Sequence, residues 1–249
     1  MNGYVAVNEP DSTVLSHLDL WACLAALVGI AGFAWLHLGF GDVVDPVRHP
    51  VSSYALDPVG EIGFAAGALG MAVACGALAV RFSTQPVLSR SLVGAAVMYV
   101  LVVVFPTDAG VDVSTVSGQI HRYAAGVAFV AMTLAAVATV RVLGRQRWVG
   151  FFAVASVALL LLTTVNTFLP ELADGGAWRG VPQRLLLAVH LGFLLCVVIA
   201  ARRVEFGQGR VGAVTNGSPR WGVANWPDLM ATWANSLDRD RRAVTGSDS

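Results

Sequence analysis

The feature that most constrains this chain is a series of six long apolar stretches, at 20–40, 62–80, 87–105, 120–140, 148–169 and 183–201. A bilayer core about 30 Å thick needs roughly 20 apolar residues in helical form. Each stretch meets that length, none holds an acidic residue in its interior, and Arg stands only at the ends. The composition agrees: 56% of the 249 residues are hydrophobic and 13% are charged. A soluble domain carries about 25% charged residues, so too little charge is present to clothe a water-facing surface. The expected class is all-α, a polytopic membrane protein of six transmembrane helices arranged as three hairpins.

Lys is absent, so all 16 basic residues are Arg and the net charge is zero. That excludes a Schiff-base lysine, a P-loop lysine and a polybasic nucleic-acid surface. Cys23, Cys75 and Cys196 each lie within an apolar run and read as small buried hydrophobes without a disulfide framework. The cofactor is left unassigned. The first 19 residues carry Glu9, Asp11 and Asp19 and no basic residue, unlike a secretory leader.

Arg near the span ends predicts orientation. Arg81 and Arg90 flank the second connection, Arg141, Arg145 and Arg147 the fourth, and Arg202 and Arg203 follow the last span. The alternate connections are acidic, with Asp42, Asp45 and Asp57, then Asp108 and Asp112, then Glu171 and Asp174. The expectation is a bacterial inner-membrane protein with both termini cytoplasmic. It comprises an N-terminal segment 1–19, a membrane domain 20–203 and a mostly disordered tail 204–249. Within the tail, Trp226, Leu229, Met230, Trp233 and Leu237 fall at helical spacing, so 226–237 reads as an amphipathic interfacial helix or as plain tail.

Polar groups at membrane depth are costly and therefore functional candidates. They gather toward the ends with the long connections: Ser53 and Tyr54 before span two, Asp108 after span three, His121 and Arg122 at span four, and Gln183, Arg184 and His190 in span six. His37 and the run Thr163, Thr164, Asn166 and Thr167 lie toward the same side. Two connections share a form, Pro followed by an acid and then Gly-x-x-x-Arg, at Gly118–Arg122 and Gly180–Arg184. A diverged duplication and ordinary turn chemistry both account for that likeness.

Several chemistries fit the collection. Asp108, His121 and His190 are weak candidates for a metal site, since zinc takes His and carboxylate ligands. Ser53 with a His and an Asp would make a hydrolytic set, although no nucleophile-elbow motif frames it. Arg122 and Arg184 suit an anionic headgroup through the planar fork of Arg. The plainer alternative is that Asp108–Arg122 and Glu171–Arg184 are ion pairs locking hairpin tips. The leading expectation is binding or movement of a lipid-like or small amphipathic ligand in an outward-facing polar pocket. A membrane-embedded hydrolase or transferase using Asp108, His121 and His190, and a structural or assembly subunit, remain alternatives. The expected surroundings are bilayer lipid, with no nucleic-acid partner.

The series Ser53-Tyr54, Phe105-Pro106-Thr107-Asp108, His121 and Gly180-x-x-Gln183-Arg184 resembles a bacterial integral membrane family, catalogued as domain of unknown function number nine hundred and ninety-eight. The resemblance spans about residues 20–202 and implies a six-helix membrane fold without an assigned reaction. It points to Asp108, His121 and Arg184 as the first positions to test.

Overall fold

The computed structural model describes residues 12–109, 113–144 and 146–212, with side chains placed from 13 to 201 within those ranges. The first 11 residues, most of the tail and its 226–237 segment lie outside the described residues.

The six apolar stretches are six helices: α1 (Ser12–Gly39), α2 (Pro58–Arg81), α3 (Pro86–Val104), α4 (Val116–Leu143), α5 (Arg147–Phe168) and α6 (Gly180–Gly212). All six are long and apolar enough to cross a membrane, and no strand occurs among the described residues. Local chemistry sets several starts. Asp57 caps α2 by accepting from the backbone N–H of Val59 and Gly60, with Pro58 at the first helical position. Thr115 caps α4 by accepting from Gly118 N–H.

The helices outrun the apolar stretches. α1 begins at Ser12 rather than at 20, α2 at Pro58 rather than at 62, and α6 at Gly180 rather than at 183. Hydropathy marks the hydrocarbon-matched part of a helix. The backbone continues helical into the interface because its hydrogen bonds are closed within the segment. One consequence corrects the reading of 1–19 as a segment outside the helices. Asp19 lies inside α1 and is fully buried, 3.5 Å from Nε of Arg81 at the end of α2. The acid is tolerated there because a nearly buried cation faces it.

The even-numbered helices form the interior. In α2, α6 and α4 the apolar windows are 61%, 56% and 50% buried, against 39%, 28% and 22% in α1, α3 and α5. Each hairpin thus contributes its second helix to the centre and leaves its first against lipid. α6 touches three neighbours: Leu191 reaches Gly29 of α1, the His190 ring lies 6.2 Å from Phe129 of α4, and Phe193 meets Phe152 of α5. α1 and α2 approach backbone to backbone. A Cβ at Gly32 would lie 2.7 Å from Gly67 N, and one at Gly70 would lie 2.6 Å from Ala25 O. Small residues permit such contact, which drives helix association where lipid removes the hydrophobic difference.

The long connections, 40–57, 105–115 and 169–179, meet at one end of the bundle, and the short ones, 82–85 and 144–146, at the other. The loop-rich end holds a 3₁₀ turn over Val51–Leu56. The Arg residues Arg81, Arg141 and Arg147 mark the opposite end.

Candidate functional site

Two clasps tie the loop-rich end together. In the first, the end of α3 is stitched to the start of α4. Asp108 accepts from Ser114 N–H (2.8 Å), Thr115 N–H (2.9 Å) and the Thr115 hydroxyl (2.6 Å). The same hydroxyl caps α4, so the carboxylate acts one bond behind the cap. His121 Nδ1 bonds Phe105 O at 2.8 Å, and Ser117 donates to Pro106 O at 3.0 Å. Gly118 is required because a Cβ there would overlap the Asp108 carboxylate. The Thr115 hydroxyl foremost holds the Asp108 carboxyl below its ordinary range, and the nearby positive charge of Arg122 adds to this.

The second clasp ties the start of α6 to the first connection. Arg184 donates through one terminal nitrogen to Pro46 O (2.6 Å) and His49 O (2.5 Å), and through Nε to His37 Nε2 (2.9 Å). His37 Nδ1 bonds Phe33 O at 2.6 Å, so Nδ1 carries the proton and Nε2 offers its lone pair to Arg184. Gln183 accepts from Val51 N–H at 3.0 Å, and Gly180 N–H donates to Val47 O at 2.9 Å. Tyr54, buried in the 3₁₀ turn, lies beneath the Arg184 guanidinium. The expected Glu171–Arg184 ion pair is therefore replaced by carbonyl bonds from the first connection. Three carbonyl and imidazole acceptors converge on the guanidinium fork, whereas Glu171 is exposed.

Between the clasps lies a cavity of about 430 Å³. Its deep wall is apolar, with Phe33, Phe64, Phe129 and Leu187, and its mouth is polar, with Ser52, Ser53, Asp108, Arg122, Arg179 and Gln183. Arg122 acts electrostatically on both Asp108 and Arg179. Partial burial and that like charge hold the Arg179 guanidinium below its ordinary value, and its Nε donates to Arg48 O at 3.2 Å. Two guanidinium groups against one carboxylate leave the mouth net positive. Beneath it, the Tyr99 and Thr163 hydroxyls, both buried on the cavity wall, have no hydrogen-bond partner among the described residues.

The sequence-predicted candidates thus separate. Ser53, Asp108, His121, Arg122 and Gln183 line the cavity; Tyr54 and Arg184 brace its frame; His190 stands elsewhere. His190 is fully buried, with Nε2 3.5 Å from the Thr133 hydroxyl. Asp108, His121 and His190 are committed to three different partners. Among the described residues no three His, Cys, Asp or Glu side chains are grouped as metal ligands. Arg179 and Tyr99 escaped the sequence reading. An Arg in a Gly-rich connection looks like a solvated loop residue, and a Tyr inside an apolar run looks like core.

No curated protein and no solved structure matches the chain. The family model described as "Protein of unknown function (DUF998)" matches residues 23–200, from α1 to the apolar part of α6, and the chain belongs to that family.

Proposed function

We propose that this membrane protein binds, and presents or moves, an anionic amphiphile whose head lies at Arg122 and Arg179 and whose apolar part enters the cavity. The observation that carries the reading is the cavity itself: about 430 Å³, apolar in depth and cationic at its mouth. Ligand clefts commonly measure roughly 300–1,000 Å³ and combine apolar walls with a few convergent polar groups. The sequence-based headgroup set changes accordingly. Arg184 and His190 give way to Arg179 and Gln183. The Arg-marked end supports a cytoplasmic placement of the short connections, with the cavity opening to the outer side.

The test is binding of a fluorescent fatty acid to the full chain in detergent, with unlabelled lysophospholipid as competitor. Gly126 lines the cavity, and a Cβ there meets nothing within 4 Å, so Gly126→Phe plugs the space without a backbone clash. Saturable binding lost in Gly126→Phe, with an unchanged size-exclusion profile, supports the proposal. Equal binding to both proteins refutes it.

A further inference from the structure

Resting on the reading of the cavity as an amphiphile site, we infer that its ligand is a single-chain acyl glycerophosphate, with phosphate at the Arg122–Arg179 mouth and ester carbonyl at Tyr99 and Thr163. The two hydroxyls carry the inference. Tyr99 is 4% exposed and Thr163 is 7% exposed, both line the cavity, and neither hydroxyl has a partner among the described residues. A buried hydroxyl left without a hydrogen bond costs about 1–3 kcal/mol, so an arriving acceptor gains from two waiting donors.

Their position selects the kind of acceptor. Tyr99 lies five residues before Val104, the last of α3, and Thr163 five before Phe168, the last of α5. At 1.5 Å per residue both sit roughly 7–8 Å inside the helix ends. The mouth cations are drawn from the α5–α6 connection, in Arg179, and from Arg122, which is electrostatically coupled to it. A ligand spanning both levels has an anion first and a second acceptor a few bonds further in.

That inner acceptor is neutral. No cation is among the groups lining the deep wall, where Phe33, Phe64, Phe129 and Leu187 surround it, and an unpaired charge there is prohibitively costly. An ester carbonyl beneath a glycerol phosphate meets each condition: a neutral acceptor, a short polar spacer and an aliphatic chain beyond. A free fatty acid has its only polar group at the head and leaves Tyr99 and Thr163 unanswered. The limited volume suits one chain rather than two.

The experiment compares 1-oleoyl lysophosphatidic acid with its 1-O-alkyl ether analogue of equal chain length, which keeps the phosphate and lacks the carbonyl. Affinities are measured on the full chain in detergent by native mass spectrometry. Wild type is expected to bind the ester about fivefold tighter, the ratio given by one net hydrogen bond of about 1 kcal/mol. Tyr99→Phe and, independently, Thr163→Val each bring the ester-to-ether ratio toward one. If wild type binds both compounds equally, the inference is overturned while the amphiphile site stands. If neither compound binds saturably, the site itself fails, and the inference with it.

Discussion

The Nε of Arg184 donates to Nε2 of His37 at 2.9 Å, joining the first turns of α6 to the last turn of α1. The same guanidinium covers the Tyr54 ring and satisfies two carbonyls of the first connection. A planar fork with several donors makes these bonds together; an ammonium is a single point donor. Arg184→Lys is therefore expected to lower the thermal midpoint of the detergent-solubilised protein by several degrees, and Arg184→Ala further. A loss of about 2 kcal/mol follows from hydrogen bonds to a charged group. A fluorescence-monitored melt that leaves Arg184→Lys at the wild-type midpoint contradicts this role.

Asp108 has a pH signature. The Thr115 hydroxyl and backbone bonds hold its folded-state carboxyl below the ordinary value of 3.8. A depressed carboxyl contributes stability above the unfolded value, and that contribution fades as pH falls through the folded one. The wild-type melting temperature is expected to lose this contribution below pH 3.8, and Asp108→Ala to show a shallower acid limb. Identical acid limbs for the two proteins count against the clasp.

The α1–α2 contact is testable by paired glycine substitutions. Gly70→Leu drives a side chain into Ala25 O and Gly29, whereas a Cβ at Gly76 of the same helix meets nothing within 4 Å. Overpacking costs typically about 1–3 kcal/mol, so Gly70→Leu should lower the denaturation midpoint clearly. Gly76→Ala should leave it unchanged or raise it, since Ala is the better helix former. The reverse order of the two midpoints rejects the packing scheme.

For the buried pair, removing one partner is worse than removing both. Asp19→Leu strands the Arg81 charge, which is 14% exposed, in an apolar setting. Breaking a buried pair costs about 3–5 kcal/mol, while an apolar replacement of both partners is often neutral. The double variant Asp19→Leu/Arg81→Leu is expected to recover most of the stability lost by Asp19→Leu. A strictly additive double mutant denies the coupling.

The chain's one-dimensional pattern determined the class of fold, because lipid accepts a backbone only where its hydrogen bonds are closed within the segment. Six apolar runs of bilayer length leave few alternatives, and α1 to α6 lie on them. The sorting of charge between the two ends was likewise written in the order of residues. Helix ends were less legible: hydropathy stops where polarity rises, so the start of α1 and the burial of Asp19 went unread. The glycines at 32 and 70 act only through a partner helix. Only tertiary structure divided the polar collection into roles. Asp108 and Arg184, though placed in family-like motifs, are mainly engaged in holding connections, while His190 packs against α4 away from the cavity. Arg179 and Tyr99, which no motif marks, line it. The reason is physical: a residue's type states what bonds it can make, and the packing of distant helices decides which partners reach it first. What remains facing the cavity is the residue set left over after those bonds are made.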